Sequence, residues 1–313
     1  IRNDRVVATP TKTIKGGKQV RRGGKGFWRG GGIAPGFRHD EVLPTITDKA
    51  VAFIERHAVN HGDKPFFLYL PLSAPHTPWL PLKRFRGQSK AGAYGDFVTQ
   101  VDDTVGRVLA ALDKRKLTGK TLVILTSDNG AHWTPADKKK FGHLANRHLR
   151  GQKADAWEGG HRIPFLARWP GVVKPGSLSN ETLCLTDLLA TAAAIVGETL
   201  PDNAGEDSFS FLPVLKGAAL KKPIREAVVH HSLAGVFAIR KGPWKLILGR
   251  GSGGFSKPRR IVPKSGEAKG QLYNLANDPS EKQNLYLEKP GIVKNLAALL
   301  RRYKKDGRSR PLN

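Results

Sequence analysis

The chain has no methionine and one cysteine, Cys184, among its 313 residues. A lone cysteine excludes an internal disulfide and any multi-cysteine metal site. No stretch approaches the roughly 18 to 20 continuous apolar residues that a membrane helix needs, and no charged-then-apolar leader opens the sequence. Acidic residues are scarce: 26 Asp and Glu stand against 53 Lys and Arg, a formal charge of +27. That balance favours acidic partners such as nucleic acid, anionic polysaccharide or sulfated and phosphorylated ligands, although a solvated basic surface has the same composition. With no methionine, and with Ile1 opening on a basic polar run that no strand precedes, the sequence is expected to be a piece of a longer protein.

What is present suits a globular α/β protein. Hydrophobic residues make up 39% of the chain, enough for a real core in one large domain. Residues 12–39 are rich in Gly, Lys and Arg and read as loop. "TITDKAVAFIERHA" places Ile46, Ala50, Ile54 and Ala58 four apart, with Thr45 and Asp48 resembling a capping box. Residues 65–70 read as a buried strand. "DFVTQVDDTVGRVLAAL" then sets Phe97, Val101, Val105, Val108 and Leu112 on one helical face. Residues 121–126 and 163–169 read as two more strands, and "TDLLATAAAIVG" as a helix running from Asp187 to Gly197. This alternation predicts an α/β layer with a mostly parallel sheet. From about residue 225 the pattern changes to short strands, "EAVVHH", "GVFAIR", "WKLIL" and "QLYNL", closed by a basic helix over 291–303. The expected organisation is a loop segment over 1–40, an α/β core over 41–224 and a small antiparallel sheet-and-helix subdomain over 225–313.

In open α/β sheets, ligands sit beyond the carboxyl ends of the strands. One predicted strand ends at His76, within "LPLSAPHTPWLP", where four prolines occur in twelve residues. Another ends at Ser127, Asp128, Asn129 and Gly130. The two loops are expected to share one rim. Asp128 and Asn129 offer adjacent oxygen donors, suited to a hard cation such as Ca²⁺, and Gly130 would allow a turn with positive φ; Asp-Asn-Gly is equally a common turn. Lys153 precedes a Trp-Glu-Gly-Gly turn, where an ammonium would bind a tetrahedral oxyanion as a point charge; one surface lysine among many is the plainer reading. His132, His143, His148 and His161 match no common zinc spacing. Cys184 reads as a small packing residue. Arg and Gly around Phe27 and Trp28 resemble segments that bind single-stranded nucleic acid, an alternative class of function.

Taken in order, "PFFLYLPLSAPHTPW", "GDFVTQVDDTVGRVLAAL", "TLVILTSDNG", "LRGQKADAWEGGHRIPFLARWPG" and "LYNLANDPSEKQNL" closely resemble the type I, formylglycine-dependent sulfatases, from about residue 35 to about residue 290. The resemblance implies an alkaline-phosphatase-like core with a smaller C-terminal domain, hydrolysis of a sulfate ester, a calcium ion and a periplasmic or secreted location. It implies that Asp128 and Asn129 are metal ligands and that His76 and Lys153 contact the sulfate and leaving oxygen. His143, Asn146, Arg150, His161 and Arg162, near Lys153 in sequence, become candidate sugar contacts, with His230 or His231 as further ones. The family nucleophile arises from cysteine in C-x-P-S-R or C-x-A-x-R. Cys184 is followed by Leu185, Thr186, Asp187 and Leu188, so it is not that site, and the family's aspartate pair before it is missing too. The expectation is a chain that lacks the nucleophile segment and is inactive alone, whose parent acts on a sulfated small molecule or polysaccharide. A zinc-dependent phosphate-ester hydrolase of the same superfamily is the alternative; Asn129, where those enzymes place a histidine, disfavours it.

Overall fold

Pro44 decides where the first long helix begins. Proline fits the first turn of a helix, where its missing N–H has no acceptor to lose. In the computed structural model, which describes residues 3–17 and 29–312, helix α1 therefore runs Val42–Asn60. Thr45 lies inside that helix and is exposed, so the expected Thr45–Asp48 capping box is overturned. The buried face is Leu43, Thr47, Ala50 and Ile54.

The chain divides into two units, Ile1–Thr121 with Phe141–His143, and Leu122–Lys140 with Leu144–Asn313. The first unit opens with a short antiparallel ribbon, β1 (Lys12–Ile14) against β2 (Gly31–Ile33), inside the segment expected to be loop throughout. Phe27 and Trp28, on which the nucleic-acid alternative rested, lie outside the described residues. Helix α1 packs on α2 (Gly92–Lys114), which buries Phe97, Gln100, Thr104, Ala111 and Leu112. The buried Thr47 and Thr104 hydroxyls meet at 3.0 Å, and Arg107–Asp48 and Lys114–Glu55 pairs flank the seam at 2.6 and 3.0 Å.

Residues 65–70 are not the strand their sequence predicts. They are extended, with Phe66, Leu68 and Leu70 half-buried, but Phe67 and Tyr69 are 84% and 76% exposed. A strand exists only with a hydrogen-bonded neighbour, and among the described residues no ladder includes this segment.

In the second unit β3 (Val123–Thr126) pairs with β4 (Phe165–Arg168) in antiparallel register, Val123 opposite Arg168 and Thr126 opposite Phe165. All ladders among the described residues are antiparallel, so the expected mostly parallel sheet is not found there. The physical reason is the connection. A parallel pair needs a crossover that returns over the sheet, whereas β3 and β4 are joined by loops with only α3 (Pro135–Phe141) and the single turn α4 (Glu158–His161). Helix α5 (Asp187–Ile195) follows, then the turn α6 (Leu212–Leu215). The buried Asp187 carboxylate accepts from the Cys184 and Phe209 amides and pairs with Arg225. Cys184 itself is half-buried.

The C-terminal part follows its sequence pattern. Strands β5 (Val228–His231), β6 (Phe237–Lys241), β7 (Trp244–Ile247) and β8 (Gln271–Asn274) form one antiparallel sheet in sequence order. Helix α7 (Pro290–Asp306) starts on proline and ends at Gly307, whose φ of 65° suits a glycine C-cap. Its Leu296, Leu299, Leu300 and Tyr303 close over Ala227, Ile239, Leu246 and Leu272. Leu300 is 1% exposed in that core. Leu300→Ala is expected to lower stability by about 2–5 kcal/mol through lost transfer energy and an unfilled cavity; urea unfolding followed by circular dichroism checks it.

Candidate functional site

Two loops of the second unit meet backbone on backbone. The Ser127–Gly130 turn leaves β3, and the Gly130 amide donates to the Gly160 carbonyl at 3.0 Å. A Cβ on Gly130 would stand 1.9 Å from the Gly159 carbonyl oxygen, so only glycine fits. That close approach, and not the expected positive φ, is what requires glycine, since Gly130 is absent from the described positive-φ residues. The facing glycines are equally confined: a Cβ on Gly159 would meet the Arg150 carbonyl oxygen at 2.5 Å and one on Gly160 the Asp155 carbonyl oxygen at 2.3 Å.

The Lys153 amide donates to the Ala131 carbonyl at 3.2 Å. The buried Asn146 amide clamps the same residue from its other side, accepting from Ala131 N at 2.8 Å and donating to the Ala131 and Gly151 carbonyls at 2.9 and 3.3 Å. The loop carrying Asp128 and Asn129 is thus tied directly to the loop carrying Lys153. Three of the four principal predicted residues come together locally in this way.

Their side chains are left available. Asp128 is exposed, and its described hydrogen-bond partner is the Ser127 hydroxyl at 3.5 Å. The Asn129 amide nitrogen donates to the Gly130 carbonyl at 3.0 Å, which leaves its oxygen open as an acceptor. Lys153 is half-buried, and its ammonium has no carboxylate partner among the described residues. A carboxylate and an amide oxygen side by side fit a hard cation in kind. They do not complete a shell: no cluster of three or more His, Cys, Asp or Glu suited to a metal occurs among the described residues.

Behind Lys153 the loop is fastened to the C-terminal sheet. The fully buried Asp155 accepts from Gln152 N at 2.9 Å and Ser256 N at 3.0 Å. Trp157 is buried and donates to Gln271 at 2.9 Å. Next comes a charge cluster that the sequence reading missed. The Lys245 ammonium, wholly buried, lies 2.9 Å from both Glu158 and Glu281. Glu281 also accepts the Glu158 amide at 2.6 Å, and Arg240 stands 3.7 Å from Glu158. Burial raises the Glu281 carboxyl above its usual range despite Lys245. Burial also pushes Glu158 upward, but Lys245, Arg240 and Arg162 outweigh it and hold that carboxyl low. A signal did exist: Lys245 sits inside "WKLIL", a short strand with apolar neighbours on both sides.

The candidate sugar contacts fare unevenly. The Arg150 guanidinium stacks 3.8 Å over Trp157 and donates to the Tyr273 hydroxyl and the Glu281 carbonyl at 3.2 and 2.6 Å. It is therefore engaged in packing, as is Asn146. Arg162 is exposed. The His161 ring lies 4.1 Å from that of His230. Burial, then the nearby Lys245 charge, depresses His161 from 6.5 to about 4 and drives His230 down as well. His143 is exposed and belongs to the first unit.

His76 also belongs to the first unit. Trp79 is buried at 4% exposure and donates to the Pro75 carbonyl at 3.1 Å, while its ring meets Tyr94 edge-on at 5.5 Å. That anchors the Pro-rich loop and leaves His76 exposed. His76 Nδ1 lies 2.7 Å from the Thr77 carbonyl. A carbonyl only accepts, so Nδ1 carries a proton.

The sulfatase family model matches residues 19–198. An N-acetylgalactosamine-6-O-sulfatase of Bacteroides thetaiotaomicron is 35% identical over 278 residues, covering 87% of this chain and 53% of that protein. A steryl-sulfatase of Rattus norvegicus is 43% identical over 178 residues, 55% of this chain and 29% of its own length. A solved Bacteroides thetaiotaomicron structure, described with the metabolism of multiple glycosaminoglycans, superposes with a TM-score of 0.75 at 33% identity, covering 90% of this chain and 60% of its own. The chain spans about half, or less, of the length of these curated relatives.

Removing Glu158 breaks one of the two buried ion pairs that hold the Lys245 ammonium. Glu158→Ala is expected to cost about 3–5 kcal/mol in chemical unfolding. The histidine pair sets an acid limit. Because His161 is neutral when folded and takes up its proton near 6.5 when unfolded, its contribution is complete above pH 6.5 and is lost as pH falls toward 4. Unfolding midpoints should therefore decline across that window, with a shallower decline in His161→Phe.

Proposed function

Since the chain belongs to the sulfatase family, we propose that its parent protein hydrolyses sulfate esters of a sulfated saccharide, with residues 127–162 of this chain holding the sulfate group. The observation that carries the reading is the Lys153 ammonium, unpaired among the described residues, on a loop locked by the Lys153–Ala131 and Gly130–Gly160 hydrogen bonds to the turn bearing Asp128 and Asn129. A fixed ammonium stabilises negative charge that grows on the sulfuryl oxygens as the ester bond breaks. Asp128 and Asn129 would hold calcium through their oxygens; when bound, that ion would supply positive charge toward the same oxygens. Further oxygen donors are needed to complete its shell.

His76 is assigned contact with the leaving oxygen on its motif, "APHTP". With Nδ1–H committed to the Thr77 carbonyl, the ring can give a proton from Nε2 only as imidazolium. Entering the step as imidazolium, it would act as a general acid, passing the Nε2 proton to the departing alcohol oxygen and returning to the neutral Nδ1–H form. The saccharide class is supported by the relatives: one is named for N-acetylgalactosamine-6-O-sulfate chemistry, and a solved neighbour for glycosaminoglycan metabolism. The nucleophile belongs to the same proposal: a formylglycine outside residues 1–313, because Cys184 has neither sequence context that yields one. A periplasmic or secreted location is also proposed; no helix among the described residues is long and apolar enough to cross a membrane.

Sulfate release from 6-O-sulfated oligosaccharides by the full-length protein tests the assignment. Lys153→Ala is expected to lower kcat/KM by about 10²–10³-fold, with the unfolding midpoint unchanged. Asp128→Ala should lower activity and move calcium activation to higher concentration. Residues 1–313 alone should not hydrolyse a chromogenic aryl sulfate. Full activity of Lys153→Ala, or turnover by the isolated chain, contradicts the proposal.

A further inference from the structure

Helix α7 carries a second basic feature, distinct from the Lys153 loop. Its last turn holds Lys304 and Lys305, where the helix dipole favours cations. Several neighbouring charges are already engaged. Arg302 and Lys241 pair with Glu226 at 2.7 and 2.8 Å, Lys304 lies 3.4 Å over the Phe237 ring, and Arg308 and Arg310 donate to backbone carbonyls of 201–206. Three cations are not. Lys294, Arg301 and Lys305 are exposed and have no hydrogen bond or ion pair among the described residues. At 3.6 residues per turn they fall within about 40° of one another and span about 16 Å of helix. The buried Leu296, Leu299, Leu300 and Tyr303 lie on the opposite side, so the stripe points straight outward. Ala298, exposed between them, leaves the row unobstructed. The dipole explains Lys305 but not Lys294, which sits near the end where a cation is disfavoured.

We propose that this α7 stripe is a docking surface for a linear sulfated polysaccharide, lying along the helix outside the catalytic loops. Charge complementarity carries the choice: unpaired cations in a row along about 16 Å of one helix face match a polymer that carries anions along its length, and not a single small anion, which needs convergent donors. The saccharide identity of the polymer rests on the proposed sulfatase reading. The stripe itself does not.

The test uses residues 1–313 and two fluorescent probes of equal charge, a sulfated glycosaminoglycan oligosaccharide and a single-stranded oligonucleotide, titrated by anisotropy at several salt concentrations. The triple variant Lys294→Glu, Arg301→Glu, Lys305→Glu is compared with Lys174→Glu, Lys221→Glu, Lys222→Glu, which changes the net charge equally at exposed lysines elsewhere in the same unit. A Gln version of the stripe variant guards against misfolding from the reversed charges. The stripe variants should lose about tenfold or more in affinity for the sulfated probe, and the log–log salt slope should shrink by about two. The control triple should stay within about threefold. Equal loss in both triples overturns the localised surface. A stripe-dependent preference for the oligonucleotide overturns the polysaccharide assignment. In the full-length protein the stripe triple should leave turnover of a small aryl sulfate unchanged. Loss of turnover there would place the stripe in the catalytic machinery and overturn its separateness, whereas stripe-dependent binding in a protein without sulfatase activity would sink only the catalytic reading.

Discussion

The second unit depends on one ammonium that does not meet water. Lys245 projects from β7 into a space closed by Glu158 and Glu281, 2.9 Å from each. An isolated buried charge costs several kcal/mol; two carboxylates in contact offset that cost only while the geometry holds. One carboxylate comes from the turn that follows Lys153, the other from the segment beyond β8. Glu281 also takes the Glu158 amide, so losing either acid leaves the ammonium with a single carboxylate, and losing Glu281 strands that amide as well. The C-terminal sheet and the loop of residues 150–161 are therefore one mechanical piece.

That piece explains why the Lys153 loop can be both irregular and fixed. Irregular backbone must find partners for its amides and carbonyls outside a ladder. Here they come from Asn146, Asp155 and Ser252, and from glycines packed close enough that no Cβ would fit. The side chains proposed to act on the sulfate group are spared this work. Among the described residues Lys153, Asp128 and the Asn129 oxygen have no charged partners, while Arg150 and Asn146 spend their polar groups on the scaffold. A site that presents an ammonium and hard oxygen donors from a rigid backbone suits an anion such as a sulfate group, as the family to which the chain belongs leads one to expect.

Much of this was legible in the sequence, for identifiable reasons. The C-terminal strands and α7 were readable because their apolar periodicity agrees with their final burial. Asp128, Asn129 and Lys153 stood out because their motifs lie in fixed order on the chain, and their roles belong to the proposed function. The strand expected over residues 65–70 was not, because periodicity reports a face and not a neighbour: Phe66, Leu68 and Leu70 alternate correctly, yet no described strand pairs with them. The sheet direction failed likewise, since the alternation of elements does not reveal that the β3–β4 connection lacks a crossover helix. Arg150 looked like a ligand because a charged residue near a motif carries no sign of the Trp157 ring it covers. The Lys245 cluster joins residues 158, 245 and 281, a separation at which local pattern is silent.

Amide hydrogen exchange in wild type and Lys245→Met tests most directly whether the buried cluster fastens the site loops. The account predicts that the Gly130, Lys153 and Glu158 amides lose protection together in the variant while those of β6 and β7 keep most of theirs. Unchanged protection at Gly130 and Lys153, in a variant whose ammonium is gone, would show that the loops stand without it.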